Sequence, residues 1–180
     1  MFENVNSLIP YLVLLSHIVL GFLLFAIISR RLWGGSIQRF LGKNANLLAL
    51  LVSLVAVIGS LFYSEVVGFE PCVLCWWQRI FLYPLVVIFG VAFWKKLPDA
   101  FLYAVPLALL AGIVSLYHAY APLFIGSSIL PCLAEGGDCS RVYVMAFGYI
   151  TIPVMSLTIV TYVLLLAWVN KIFKNENSNS

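Results

Sequence analysis

Two cysteines separated by two residues lie in the stretch PCVLCWWQR, which runs from Pro71 to Arg79. A C-x-x-C pair such as Cys72 and Cys75 is typical of a redox-active dithiol or of half of a metal site. A bridge across so short a loop restricts the unfolded chain little, so a purely stabilising role is disfavoured. Haem attachment would need a histidine directly after Cys75, and Trp76 stands there. The pair therefore indicates thiol chemistry.

The residues around this pair favour a reactive thiolate. Pro71 can set the chain just before a helix, which places the cysteines in the first turn, where unpaired N–H groups and the helix dipole stabilise an anion. Arg79 follows Cys75 by four residues, so it lies on the same helical face and its charge favours a thiolate there. The alternative for Arg79 is an interfacial anchor whose side chain snorkels to the membrane surface.

The stretch PCLAEGGDC holds a second pair, Cys132 and Cys139. Two pairs in two separate segments predict two disulfides in an oxidising compartment. Two alternatives stay open at this point. A bridge between Cys132 and Cys139 can simply staple a loop, and four thiolates can bind zinc, although six residues separate this pair where zinc sites usually have two to four.

The composition is typical of a membrane protein. Of the 180 residues, 63% are hydrophobic and 9% are charged, whereas soluble domains carry about 25% charged residues. The net charge of +3 and the lack of a Gly-rich phosphate loop in the sequence argue against a nucleic-acid or nucleotide partner. Five apolar runs are long enough to cross a lipid bilayer, so we predict an all-α integral membrane protein. They cover residues 8–29, 46–64, 76–94, 100–120 and 142–169.

The first run differs from a secretory signal peptide, because the acidic Glu3 precedes it and no small-residue cleavage site follows it. We therefore expect it to stay in the mature protein. Pro84, Pro106 and Pro153 fall inside later runs. Membrane helices tolerate proline, so we expect kinks there rather than breaks.

The distribution of basic residues predicts the orientation in the membrane. Eight of the ten Lys and Arg residues fall within residues 30–45, 95–99 and 170–180, which five crossings place on one side. The positive-inside rule makes that side cytoplasmic, together with the polar tail 170–180 and the C-terminus. The segment 65–75 and the redox loop 121–141 then face the periplasm or the cell exterior, with all four cysteines.

Two histidines fall inside predicted helices. His118 lies near the outer end of the fourth helix, at about the depth of Arg79. An ionisable group inside a membrane is a functional candidate, and a buried histidine bonded to a neighbour is the alternative. His17, in the first helix, has no cysteine near it in the sequence, and we expect it to be structural.

Four stretches, CVLCWWQR, LYHAY, GGDC and ITIPVMSL, follow one another within roughly residues 57–170. In this order the chain resembles the disulfide bond formation protein B family, quinone-dependent membrane oxidases that reoxidise a thioredoxin-fold dithiol oxidase. The resemblance implies that the last four helices form a four-helix bundle. It leaves the first helix as an addition without an assigned role.

The resemblance also implies a route for electrons. The partner oxidase would attack the loop disulfide and form a mixed disulfide with Cys132. Cys139 would then exchange with Cys72. Cys75 would be the thiolate that faces a membrane quinone, either ubiquinone or menaquinone.

Arg79 and His118 would lie near the polar edge of the quinone by the same resemblance. Two features depart from the family pattern. The loop between Cys132 and Cys139 is shorter than in the best-known proteobacterial members. Gln78 stands beside Arg79 where an acidic residue often occurs, and we assign it no role.

Two other functions remain as alternatives. A conduit that carries reducing electrons outward would need thiols accessible from both sides, and no cysteine lies near the predicted cytoplasmic side. A non-enzymatic membrane protein would use the cysteines for structural disulfides or for a four-cysteine metal site. The leading interpretation expects no metal.

Overall fold

The computed structural model describes residues 2–29, 35–124 and 142–178. The chain forms six helices there, and α3 continues into a π-helical turn, Phe62–Val66. Five of the helices are long and apolar enough to cross a membrane, which confirms the predicted all-α, multi-pass architecture. The helices are α1 (Phe2–Ile28), α2 (Ser36–Lys43), α3 (Ala45–Leu61), α4 (Val73–Lys95), α5 (Ala100–Phe124) and α6 (Ile152–Ser178).

The last helix begins ten residues later than the predicted start at residue 142, and it extends beyond residue 169 to Ser178. Residues before it form a turn closed by an isolated bridge between Ala146 and Ile150. Phe147 and Gly148 have φ angles of 52° and 76°. Such left-handed residues cannot continue a right-handed helix, so α6 begins after them.

Pro153 lies at the start of a helix, whereas Pro84 lies in the interior of one. Pro153 lies in the first turn of α6, where a missing N–H breaks no hydrogen bond, so the mid-helix kink expected there is wrong. Pro84 lies inside α4, which continues through it as predicted.

The last four long helices, α3 to α6, pack together and confirm the predicted bundle. Their contacts are rich in fully buried alanines, including Ala49, Ala104 and Ala108. A Cβ atom built on Gly112 would lie 3.1 Å from Val160 Cγ1. In lipid, small residues drive helix association because they let backbones approach closely.

One end of the bundle is tied by polar contacts. Lys174 near the end of α6 lies 2.9 Å from an Asp99 carboxylate oxygen just before α5. Asn46 at the start of α3 donates to the Leu97 carbonyl at 3.0 Å. Of the described cations, six lie at this end, and Arg79 lies at the opposite, cysteine-bearing end. The six are Arg39, Lys43, Lys95, Lys96, Lys171 and Lys174.

Helix α2 lies within residues 30–45, between the first two predicted membrane-spanning runs. A Cβ built on Gly42 would lie 2.5 Å from Phe173 Cβ, so glycine permits this short helix to pack directly on α6. Gln38 donates to the Ile27 carbonyl at 3.3 Å and thereby joins α2 to the end of α1.

Candidate redox site

Helix α4 begins at the cysteine pair, as predicted from Pro71. Cys72 is the N-cap residue, with an extended backbone, and its sulfur accepts the Cys75 backbone N–H at 3.4 Å. The Cys72 carbonyl accepts the first intrahelical bond, from the Trp76 N–H at 3.1 Å. The cap therefore places Cys72 just outside the helix and Cys75 within its first turn.

Both cysteines are free thiols in the structure. Their Sγ atoms lie 3.1 Å apart, so a small movement of the side chains suffices to form a disulfide. They differ in environment, because Cys72 is buried and Cys75 is partly exposed.

His118 lies against Cys72. Its Nε2 atom is 3.8 Å from Cys72 Sγ, and its Nδ1 atom is 3.2 Å from the Gln78 side-chain nitrogen. Ser156 of α6 donates to the Gln78 side-chain oxygen at 3.0 Å. In this arrangement the Gln78 amide donates to Nδ1, which leaves the proton of a neutral imidazole on Nε2, facing the sulfur.

These contacts favour the thiolate of Cys72, which lies just before the membrane-spanning part of α4. Hydrogen bonds from the Cys75 thiol and from His118 lower the pKa of Cys72 to about 4, and they outweigh the opposing effect of burial. The Cys75 backbone N–H contributes in the same direction. In the reduced pair, the first proton is therefore lost from Cys72.

Cys75 faces a cavity of about 680 Å³ between α1, α3, α4 and α6. That volume is in the range of small-molecule sites. Most of the lining surface is apolar. The polar lining residues include Ser60, Glu70, Gln78, Arg79, Tyr83 and Ser156.

The Arg79 guanidinium is held in the wall of this cavity. Its Nε donates to Ser60 Oγ at 2.9 Å, and one terminal nitrogen donates to the Ser60 carbonyl at 3.2 Å. Tyr83 donates to the same hydroxyl at 3.2 Å. The guanidinium carbon lies 5.2 Å from the centre of the Trp76 ring, a cation–π contact. Arg79 is thus oriented beside Cys75 rather than extended toward water.

The residues 42–170 match the family described as disulfide bond formation protein DsbB. The chain belongs to this family. It is therefore a multi-pass membrane protein of disulfide bond formation, and its reaction class is disulfide oxidoreductase. Helix α1 lies outside the matched residues.

Several bacterial proteins are similar to this chain over about three fifths of its length. Disulfide bond formation protein C of Bacillus subtilis strain 168 is 42% identical over 108 residues, which are 59% of this chain and 78% of that protein. Probable disulfide formation protein C of Bacillus cereus is 42% identical over 120 residues, covering 64% and 83%. Probable disulfide formation protein of Metapseudomonas resinovorans is 39% identical over 116 residues, covering 63% and 80%. No solved structure matches the chain.

The family resemblance had placed Arg79 and His118 together at the quinone. The structure brings Arg79 and Cys75 to one cavity, whereas His118, among the described residues, contacts Cys72 and does not line that cavity. The predicted loop pair, Cys132 and Cys139, lies outside the described residues.

Gln78 and Ser156 are functional candidates that sequence reasoning missed. Gln78 is buried, and its amide links α4 to His118 of α5 and to Ser156 of α6. A signal was present, because a polar amide inside an apolar membrane helix needs a partner. The sequence spacing within α4 could not predict which residues of other helices are the partners of Gln78.

Cys72, Cys75 and His118 together also have the chemistry of a metal site. Ligand atoms of Cys72, Cys75 and His118 all lie within 4.8 Å of one another. Two thiolates and an imidazole are a donor set that zinc binds with a fourth position open. The four-cysteine site that the sequence left as an alternative also includes Cys132 and Cys139, which lie outside the described residues.

Proposed function

We propose that this protein is a thiol:quinone oxidoreductase that reoxidises an extracytoplasmic thioredoxin-fold dithiol oxidase. The observation that carries the proposal is the position of Cys75 and Arg79 in the wall of one apolar cavity within the membrane-spanning bundle. A dithiol beside an apolar site within the membrane-spanning bundle is the arrangement that such a reaction needs. Membership of the disulfide bond formation family supports the same reaction class.

The first half of the proposed reaction is disulfide exchange. A thiolate of the reduced partner attacks Cys132 of the loop disulfide and releases Cys139 as a thiolate. Cys139 then attacks Cys72 of the second disulfide and releases Cys75. Each exchange breaks one S–S bond and forms another, so no electrons leave the set of sulfur atoms.

The second half restores the loop. The partner's other cysteine attacks its mixed disulfide, leaves the partner oxidised and frees Cys132. Cys132 then attacks Cys139 and releases Cys72. The partner's two electrons and two protons now reside on the Cys72–Cys75 pair, and reoxidation of this pair requires a two-electron acceptor. A bound quinone, ubiquinone or menaquinone, supplies that chemistry by accepting two electrons and two protons.

The contacts of the two cysteines suit these different roles. His118 and the Cys75 N–H stabilise negative charge on Cys72, which makes Cys72 a good leaving group when the loop disulfide re-forms. While Cys72 is bonded to Cys139, it no longer carries that charge. Cys75 is then the thiolate, at the cavity and next to the Arg79 cation.

The cavity fits the proposed acceptor in its polarity. A quinone has a small polar head and, in membranes, a long apolar tail. Arg79 and Tyr83 provide polar atoms in the cavity wall, and the apolar part of the lining suits the tail. Arg79 is the residue that we propose to hold a quinone oxygen, since its planar guanidinium carries several donors.

We also propose the orientation that the positive-inside rule predicts. The bundle end with the six cations faces the cytoplasm, together with the C-terminus. The end with Cys72 and Cys75 faces the periplasm or the cell exterior, where a secreted thiol oxidase meets the loop 121–141.

The proposal is tested by reducing the purified protein anaerobically, removing the reductant and adding decylubiquinone. We expect one quinol to form for each pair of thiols lost. A Cys75→Ser variant is the matched control and should form none. Thiols that persist in the presence of the quinone would refute the proposal.

A metal site is a second candidate because three ligand atoms cluster within 4.8 Å. It predicts about one zinc ion per chain in protein purified under reducing conditions, lost in a Cys72→Ser variant. Metal analysis of the same preparations separates the two functions. Quinol formation by metal-free protein would support the redox function and exclude the metal site as the function.

A further inference from the structure

We propose that α1 is the wall that closes the quinone cavity toward the lipid, and that His17 holds this wall in place. The inference rests on the proposed function, since it concerns the same cavity. It gives a role to a helix that lies outside the residues matched to the family.

One face of α1 lines the cavity. The residues are Ile9, Leu12, Val13 and Ser16, hereafter the α1 wall. Their spacing of three and four residues places them on a single helical stripe. The cavity is thereby enclosed by α1 in addition to three helices of the bundle.

The opposite face of α1 has the character of a surface in contact with lipid. Tyr11, Leu15, Ile18 and Phe25 are each more than half exposed. A helix with one face on the cavity and the other on lipid separates the two. Displacement of α1 would open the cavity between α3 and α6 toward the bilayer.

Polar contacts hold α1 against α6. His17 Nε2 lies 2.8 Å from Thr158 Oγ1, and Tyr162 donates to the Ser16 carbonyl at 2.5 Å. Thr158 donates its own proton to the Val154 carbonyl, so His17 Nε2 must be the donor to Thr158. Thr158 and Tyr162 themselves line the cavity.

The remaining ring nitrogen of His17 is also engaged. Its Nδ1 lies 3.2 Å from the Tyr149 hydroxyl, which is a donor to it when Nε2 carries the proton. Tyr149 belongs to the turn before α6, and Phe147 of the same turn packs edge-on against Tyr11 at 5.3 Å. His17 therefore joins α1 to both α6 and its preceding turn, and the structural role predicted from sequence becomes a positioning role for the cavity.

The consequence is a specific effect on quinone affinity. A quinone in this cavity would lie between Cys75 and the α1 wall, so loosening α1 would expose the site to competing lipid. Loss of the His17 contacts should raise the dissociation constant for quinone while leaving Cys72, Cys75 and Arg79 in place. Thiol reactivity of the reduced protein should not change.

The test uses the full chain in lipid nanodiscs. Decylubiquinone binding is measured by quenching of tryptophan fluorescence, and hydrogen–deuterium exchange is followed in peptides from α1. The variants are His17→Leu and Thr158→Val, which remove opposite ends of one hydrogen bond. Ile18→Ala, at the neighbouring lipid-exposed position, is the matched control.

We expect His17→Leu to raise the dissociation constant for decylubiquinone about three- to tenfold and to speed exchange in α1. Thr158→Val should have a similar effect, and the double variant should add little to either. Ile18→Ala should bind as the wild type does. Unchanged affinity in both single variants, with faster exchange in α1, would refute the α1 wall but not the proposed function. A wild-type protein that binds no decylubiquinone would refute both.

Discussion

His118 Nε2 lies 3.8 Å from Cys72 Sγ, and both groups are buried where α5 meets the start of α4. The histidine therefore contacts Cys72, the cysteine that we propose to exchange with the loop pair, and does not line the cavity. This relationship separates the site into two parts. His118, oriented by Gln78, contacts Cys72. Arg79 shares the cavity wall with Cys75.

The first prediction concerns the pH dependence of Cys72 reactivity. His118→Phe removes one hydrogen bond to the thiolate, so the pKa of Cys72 should rise by about one to two units. The rate of alkylation of the reduced Cys75→Ser protein, measured against pH, reports this midpoint. His17→Leu changes the other histidine and should leave the midpoint unchanged. An unchanged midpoint in His118→Phe would show that His118 does not stabilise the Cys72 thiolate.

The sign of the corresponding stability change is also determined. The folded-state pKa of Cys72, about 4, lies below the ordinary value of 9.0. Its thiolate therefore stabilises the reduced protein fully above the ordinary value, and this contribution is lost as pH falls toward the folded-state pKa. The melting temperature of the reduced protein should fall over that window relative to a Cys72→Ser variant.

The second prediction uses two substitutions at Gln78 that both remove the donor to His118 Nδ1. Gln78→Leu leaves His118 Nδ1 without its donor and should raise the pKa of Cys72. Gln78→Glu also removes the donor to Nδ1 and adds a negative charge near the thiolate, so it should raise the pKa of Cys72 at least as much. The same alkylation assay measures both. An unchanged pKa of Cys72 in both variants would contradict the assigned hydrogen bonds.

The third prediction distinguishes quinone binding from anchoring at Arg79. Lysine also snorkels, so Arg79→Lys should be nearly silent if the residue is only an anchor. If the guanidinium holds a quinone oxygen, the apparent KM for quinone should rise about tenfold to a hundredfold. The KM for the partner should change little, because the partner meets the distant loop. Steady-state kinetics with each substrate varied in turn decides between the two, and equal effects on both constants would favour the anchor.

The fourth prediction tests the order of exchange. In Cys139→Ser the onward step to Cys72 cannot occur, so the partner should accumulate as a mixed disulfide with Cys132. Non-reducing electrophoresis followed by mass spectrometry identifies the trapped cysteine. Cys132→Ser is the control and should trap no partner on the loop. Capture of the partner on Cys75 would reverse the proposed order.

The fifth prediction addresses orientation. In a Cys72→Ser, Cys75→Ser background, a membrane-impermeant maleimide should label Cys132 and Cys139 in intact cells after mild reduction. A third cysteine introduced by Lys171→Cys, at an exposed position on the cation-bearing end, should react only after the cells are broken. The reverse pattern would invert the proposed topology.

The sequence by itself was sufficient for features that depend on neighbouring residues. Apolar length identified five membrane-spanning helices, because an α-helix of about 20 apolar residues matches the thickness of the hydrocarbon core. Pro71 and the cysteine pair marked the start of α4, and a four-residue step placed Arg79 on the Cys75 face. These are local relationships within one turn or one helix.

Only the tertiary structure decided which helical faces meet. Gln78 and His118 are 40 residues apart, and His17 and Thr158 are 141 residues apart. In a soluble protein an apolar stripe identifies the buried face of a helix, but a membrane helix is apolar on all sides, so the pattern does not reveal its neighbours. Close approach at small residues and the pairing of the few polar groups select those neighbours, and both depend on the whole bundle.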